Sequence, residues 1–101
     1  MLTVNNDGKM LKITLTAESM NINNSDMILK ELKEAALKDS EVDIQLDFKQ
    51  VRFIDSSAIA MLVNFVQSLA RSRRKMSIVN VTDQIKNTIK VLNLTKFLNL
   101  Q

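Results

Sequence analysis

Residues 42–81 change their hydrophobic period twice, from that of a strand to that of a helix and back. The first part alternates apolar and polar residues, which is the period of two of a β-strand, and its apolar positions are Val42, Ile44, Leu46 and Phe48. A helix is predicted from Ser57 to about Arg74, and Met76–Val81 is again strand-like. A strand, a helix and a strand in this order favour a right-handed crossover between parallel strands. The chain is therefore predicted to be an α/β protein.

The segments on either side fit the same class. Leu2–Val4 and Leu11–Leu15 flank Asn5–Lys9, which contains the only glycine, and its Asp-Gly pair supplies the positive φ angles of a tight hairpin turn. A first helix follows the N-cap candidates at 23–25, with helically spaced apolar residues at Ile28, Leu29, Leu32, Ala35 and Ala36. Thr82 is expected to cap a last helix, whose apolar residues are Ile85, Ile89 and Leu92, and Leu94–Leu100 to pack back as a short tail. These elements predict one domain, residues 1–101, with a small, mixed, mostly parallel sheet of four to five strands and helices packed on it.

Composition limits the chemistry. The 101 residues are 46% apolar and include no cysteine and no histidine, which excludes disulfides, thiolate zinc sites and imidazole catalysis. We find no glycine-rich nucleotide loop and no metal-loop spacing of carboxylates, so no cofactor, metal or catalytic residue is predicted.

The longest apolar run is the six residues Ala58–Val63, and no charged-then-apolar leader is present. We therefore expect no membrane span and a cytoplasmic protein. The six methionines, including Met27, Met61 and Met76, are interpreted as core residues.

The junction Asp55-Ser56-Ser57 joins a predicted strand end, Val51–Ile54, to the long helix. Free N–H groups and the helix dipole favour negative charge at such a point and are compatible with a phosphate. At 100° per residue the buried stripe is centred on Ala58, Leu62, Phe65 and Leu69, whereas Ser56, Ala60, Gln67 and Arg71 project outward. Ser57 is expected on the flank. Serine is also a preferred N-cap residue, so one of the two serines is expected to cap the helix.

Two further features have both a functional and a simpler structural interpretation. Ala60 on the outward face, with Val63 near its edge, suggests a docking surface, although scattered surface apolar residues are normal. Asp55 could orient the Ser56 hydroxyl or simply stabilise the helix start.

Four cations lie where the long helix should end, namely Arg71, Arg73, Arg74 and Lys75. Interaction with the helix C-terminus is favoured for them over a role in binding phosphates or anionic lipid.

A resemblance to a known family rests on Ile44–Phe48, Val51 and Phe53–Ala58. These segments resemble the signature of the STAS domain family, the bacterial anti-sigma factor antagonists. The resemblance implies phosphorylation at Ser56 by a partner serine kinase that doubles as an anti-sigma factor and brings the ATP, with a phosphatase as a further partner. The implied partner-binding residues are Asp55, Ser56, Ser57, Ala60, Val63, Asn64 and Gln67. The chain departs from the family pattern at Ala58, where a glycine is usual, and at Ala17–Met20, where a glycine and an acid are often found.

Three functions are compatible with these residues. The leading one is a phosphorylation-controlled binding protein that engages the anti-sigma factor when unmodified and releases it when phosphorylated. The second is a non-phosphorylated subunit of an ABC transport complex, such as a phospholipid transporter, docked on its nucleotide-hydrolysing subunit. The third is binding of nucleic acid or anionic membrane through Arg71–Lys75. No enzymatic role and no direct contact with nucleic acid are expected, and the oligomeric state is left open.

Overall fold

The computed structural model describes residues 1–39 and 41–101. In chain order the elements are β1 (Leu2–Asn6), β2 (Met10–Leu15), β3 (Ser19–Met20), α1 (Ser25–Lys38), β4 (Asp43–Asp47), β5 (Phe53–Ile54), α2 (Ser56–Ala70), β6 (Met76–Val79) and α3 (Asp83–Val91).

The main sheet has four strands in the order β1-β2-β4-β6. β1 runs antiparallel to β2, whereas β2 and β6 both run parallel to the central strand β4. β3 and β5 form a separate two-stranded parallel sheet. The predicted mixed, mostly parallel α/β architecture is therefore confirmed, but the two-residue strand β3 was not predicted.

One face of the main sheet carries the core. Leu11 pairs with Ile44 and Ile13 with Leu46, and all four side chains are fully buried, while Lys12 between them is exposed. This alternation follows from the pleat, which sends successive side chains to opposite faces. The helices contribute the other half of the core through Ile28 and Leu32, Leu62 and Phe65, and Ile85 and Ile89. The buried stripe predicted for α2 is confirmed.

α2 ends at Ala70, four residues before the predicted end. The N–H of Arg74 donates to the Leu69 carbonyl and that of Arg73 to the Ala70 carbonyl, which are the two hydrogen bonds of a Schellman motif. Arg73 occupies the left-handed position of the motif, with φ of 57°. A residue in that conformation cannot continue a right-handed helix, so the chain turns into β6.

The cationic run does not act as the sequence suggested. The half-buried Arg74 guanidinium donates to the carbonyl oxygens of Ala36, Asp39 and Val42, so it caps the C-terminal end of α1 and not that of its own helix. The side chains of Arg71 and Arg73 are exposed. The expectation that these cations interact with a helix C-terminus is therefore correct only for Arg74, and the helix is α1 instead of α2.

Three smaller expectations need correction. β6 stops at Val79, two residues early, because Asn80 has a φ of 58° and turns the chain out of the strand. Leu92 follows α3 as its C-cap and is half exposed instead of buried. Met27 is likewise exposed, although Met61 and Met76 are buried as predicted.

The first turn is built on one left-handed residue. Within the Asp-Gly pair only Gly8 has a positive φ, of 88°, whereas both residues were expected to have one. The Asp7 carboxylate accepts hydrogen bonds from the N–H groups of Lys9 and Met10, and these bonds lower the pKa of Asp7.

The end of the described chain packs back as predicted. Leu98 is fully buried, and Leu100 forms a parallel bridge with Ile78 of β6. The predicted Thr82 cap of α3 is also present, with its hydroxyl oxygen accepting from the N–H of Ile85 at 3.3 Å. Within residues 1–39 and 41–101, no helix is long and apolar enough to span a bilayer.

Candidate functional site

The start of α2 is fixed by Asp55, which is its N-cap. One carboxylate oxygen accepts from the N–H of Ala58 at 3.0 Å, and the other accepts from the N–H of Ile22 at 3.0 Å. The prediction that a serine would cap the helix is wrong. An aspartate fulfils the same role because its side-chain oxygen reaches the third N–H of the helix. With both oxygens engaged by backbone donors, Asp55 joins the loop after β3 to α2 instead of orienting the Ser56 hydroxyl.

Because Asp55 is the cap, both serines lie in the first helical turn, and α2 begins at Ser56, one residue earlier than predicted. Ser56 is exposed and Ser57 is half-buried, as the helical phase predicted. Ala60 is also exposed, one turn beyond Ser56. A hydroxyl that is free of the cap and open to solvent is accessible to a modifying enzyme.

Ser57 faces a groove of about 340 Å³ between α1 and α2. The α1 side of the groove is formed by Ile22, Ser25, Asp26 and Leu29, and the α2 side by Ser57, Ala60, Met61 and Asn64. Ala60 and Asn64, which were predicted partner-binding residues, thus share a concave surface with Ser57. The groove has hydroxyl and amide groups beside apolar side chains, a mixture that suits protein contact.

The other predicted residues have less exposed positions or lie farther along the helix. Val63 is half-buried and packs against the core, so only part of its side chain is exposed to solvent. Gln67 is exposed but lies eleven residues beyond Ser56, or about 16 Å along the helix axis. The structure therefore groups Asp55, Ser56, Ser57, Ala60 and Asn64 closely and leaves Gln67 at the margin.

Two apolar residues at this site were missed by sequence reasoning. Ile22 is 73% exposed beside the Asp55 carboxylate, and Phe53 is 57% exposed three residues before Ser56. The signal for Ile22 was present, since it stands alone among asparagines at 21–24. We call Ile22, Phe53, Ser56, Ser57, Ala60 and Asn64 the Ser56 surface. Large apolar side chains kept in water beside an accessible hydroxyl are typical of a docking surface.

The acidic groups at this site are Asp55 and Asp26. In the part of the chain that the structure describes, no group of three or more acidic residues could hold a metal ion. The nearest carboxylate, Asp55, already accepts two backbone hydrogen bonds. The arrangement presents a hydroxyl and a contact surface, and Asp26 lines the same groove as Ser57.

Comparison with known proteins assigns the family. The family model described as the STAS domain matches residues 2–101. A comparison with curated protein sequences finds no significant match.

Solved structures support the same fold. A putative anti-sigma factor antagonist from Thermotoga maritima is 20% identical, with 99% of this chain and 83% of that chain covered and a TM-score of 0.79. The Bacillus cell fate determinant SpoIIAA in its phosphorylated form is 13% identical, with 100% and 89% covered and a TM-score of 0.72. The murine Solute Carrier 26 family member A9 anion transporter is 18% identical over 86% of this chain and 14% of that chain, with a TM-score of 0.75. With the family model matching almost every residue, the chain belongs to the STAS domain family.

Proposed function

We propose that this protein is a cytoplasmic binding protein of a partner-switching pathway. In its unmodified form it binds an anti-sigma factor that is also a serine kinase, and phosphorylation at Ser56 releases that partner. The chain itself acts by binding, and the kinase supplies the ATP.

The observation that carries this proposal is the exposed Ser56 hydroxyl in the first turn of α2, with exposed apolar groups near it. Ile22 and Phe53 have large side chains in water, and Ala60 leaves room for close approach of another helix or strand. A partner that covers these residues would desolvate Ser56 at the same time. A phosphate placed there would then lie inside the contact.

The phosphate is expected to disturb the contact more than the fold. It adds about −1.5 to −2 charge at neutral pH. The free N–H groups and the dipole of α2 offset part of the repulsion from Asp55. SpoIIAA supports this, because both its unphosphorylated and its phosphorylated form have the fold of this chain, with a TM-score of 0.72 for each.

A second candidate is a STAS subunit of an ABC transport complex that docks without phosphorylation. The likeness to the Solute Carrier 26 family anion transporter favours it, because that chain carries the same fold within a transport protein. The two candidates differ in one respect: a transport subunit would bind its partner equally well with Ser56 replaced by aspartate.

The direct test uses a purified anti-sigma-type serine kinase from the same genome. With ATP it should add one phosphate to the protein, and mass spectrometry should map that phosphate to Ser56. Ser57→Ala is the matched control and should accept phosphate normally, whereas Ser56→Ala should accept none.

Calorimetric titration should show at least about tenfold weaker binding after phosphorylation, or about 1.4 kcal/mol. The melting temperature should move by only a few degrees. Phosphate on Ser57, or unchanged affinity after complete modification, would contradict the proposal.

The position of the docking surface is tested by Ala60→Arg. A long charged side chain at this exposed position should weaken partner binding at least about tenfold while the protein stays folded. Ala70→Arg is the control, because Ala70 is also exposed but lies at the other end of α2. Equal effects of the two variants would show that the partner does not bind at the start of α2.

A further inference from the structure

The charge of the protein is unevenly distributed along the chain. Residues 71–101 contain seven of the 14 lysines and arginines but only one of the 11 acidic residues, so their formal side-chain charge is +6, and residues 1–70 carry −3. Arg74 is occupied with backbone carbonyls. The other six cations are exposed, and they are Arg71, Arg73, Lys75, Lys86, Lys90 and Lys96.

Four of these cations lie along one continuous surface. A groove of about 380 Å³ is lined by Lys86, Lys90 and Thr95, among others. The next groove shares Lys90 and Thr95 and adds Lys96. A third shares Lys96 and adds Lys75. Adjoining grooves that share residues connect α3, the C-terminal tail and the start of β6, so the lysines form a row and are not scattered. Asp83 is the one acidic residue that lines any of these three grooves.

Large apolar side chains are exposed in the same part of the chain. Val91 is 72%, Leu92 50% and Phe97 43% exposed. Phe97 lines the same groove as Lys75 and Lys96. Val91 and Leu92 line none of these grooves but follow Lys90 directly in the chain. We call Lys75, Lys86, Lys90 and Lys96, together with Val91, Leu92 and Phe97, the basic surface. The combination of positive charge and exposed apolar groups matches the boundary between lipid headgroups and acyl chains.

We propose that the basic surface binds an anionic lipid membrane. The positive charge attracts acidic headgroups, and Val91, Leu92 and Phe97 enter the boundary region of the bilayer. Nucleic-acid binding relies mainly on cations that contact phosphates and aromatic rings that stack on bases, which would employ Phe97 but leave Val91 and Leu92 in water. The cations are spread over α3 and two turns, which fits a broad anionic surface better than a single acidic peptide.

The basic surface is separate from the Ser56 surface. The two share no residue and no groove, because the Ser56 surface lies on the loop before α1, β5 and the start of α2, whereas the basic surface lies on α3, the tail after it and the turn before β6. This inference does not depend on the partner-switching proposal, since it concerns different residues and the unphosphorylated chain.

The test is vesicle co-sedimentation of the full chain. It should bind vesicles that contain about 30 mol% phosphatidylglycerol but not pure phosphatidylcholine vesicles, and binding should fall steeply between about 0.05 M and about 0.5 M salt. Reversing three lysines together, Lys86→Glu, Lys90→Glu and Lys96→Glu, should reduce partitioning at least about tenfold. The charge-matched control reverses Lys9, Lys30 and Lys33, which are exposed elsewhere, and should retain most of the binding.

Val91→Ser tests the apolar contribution without changing charge, and it should reduce partitioning severalfold at constant salt. Val91 is mostly exposed, so this variant keeps the fold and gives an answer even if the triple variant does not fold. Three outcomes would overturn the proposal. They are no binding to anionic vesicles at low salt, equal losses in the triple variant and its control, and binding to duplex DNA in place of vesicles.

Discussion

The two ends of α2 are held by opposite chemistry. At its start, the Asp55 carboxylate accepts from the N–H groups of Ala58 and Ile22. Just beyond its end, the Arg74 guanidinium donates to three carbonyl oxygens that are 32 to 38 residues away in the chain. The first arrangement fixes a helix start and leaves the adjacent Ser56 free. The second ties α2 to the end of α1 and to β4, so it supports the fold and offers no accessible group.

This difference separates an exposed surface from a connection that cannot be removed without loss of stability. Removing a group at the start of α2 should affect binding and cost modest stability. Removing Arg74 should cost more stability, because several carbonyl groups lose their donor at once. Three substitutions test this comparison.

Arg74→Ala should have the largest effect. It removes the donors to Ala36, Asp39 and Val42, and we expect the free energy of unfolding to fall by about 2–3 kcal/mol. Urea unfolding followed by circular dichroism measures it. Arg71→Ala is the control: its side chain is exposed, so it should change stability by no more than about 0.5 kcal/mol. If both variants unfold at the same urea concentration, the Arg74 contacts do not stabilise the protein.

Asp55→Ala should come next, with a loss of about 1–2 kcal/mol. It removes the N-cap of α2 and the contact that holds the loop at Ile22. Asp55→Asn should lose less, because an amide oxygen can still accept one of the two bonds. Ser56→Ala, at an exposed residue that does not cap the helix, should stay within about 0.5 kcal/mol of the unmodified protein. A Ser56→Ala loss as large as that of Asp55→Ala would mean that the serine supports the helix start after all.

Arg73→Gly should have the smallest effect and the opposite sign. Arg73 is left-handed, with φ of 57°, and glycine adopts this conformation without strain, so we expect a net gain of about 0.5–1 kcal/mol after the greater freedom of glycine in the unfolded chain is counted. Asn93→Gly is the matched comparison. Asn93 is left-handed in the same motif after α3, but asparagine tolerates that conformation better, so the gain should be smaller. Thermal melts of both variants measure the difference, and a destabilised Arg73→Gly protein would count against the strain argument.

Most of the fold could be predicted from the sequence, because the long helices and strands have regular hydrophobic periods. The alternation in β4 and the buried stripe of α2 led to the correct sheet and to the correct outward position of Ser56. β3 could not be found in this way, since two residues are too few to show a period, and it exists only because it pairs with β5.

At the candidate site, sequence reasoning failed for two reasons. A hydrogen-bond partner can be distant in the chain, and two residue types can compete for the same N-cap position. Asp55 and the serines are all good N-cap residues, and only the backbone path shows which of them reaches the Ala58 N–H. Arg74 follows α2 closely in sequence, so its contact with α1 was not visible. The exposure of Leu92 has another origin, because α3 ends at Val91, one residue before the hydrophobic pattern does.

The pairing of Leu100 with Ile78 also bears on self-association. The Ile78 N–H donates to the Asn99 carbonyl, and the Gln101 N–H donates to the Ile78 carbonyl. The tail thereby occupies the outer side of β6, which would otherwise present unpaired backbone groups to another molecule. In the part of the chain that the structure describes, the opposite border of the sheet is β1, with no strand beyond it. Loss of residues 98–101 would give the sheet a second uncovered border, and intermolecular strand pairing leading to aggregation is the expected consequence.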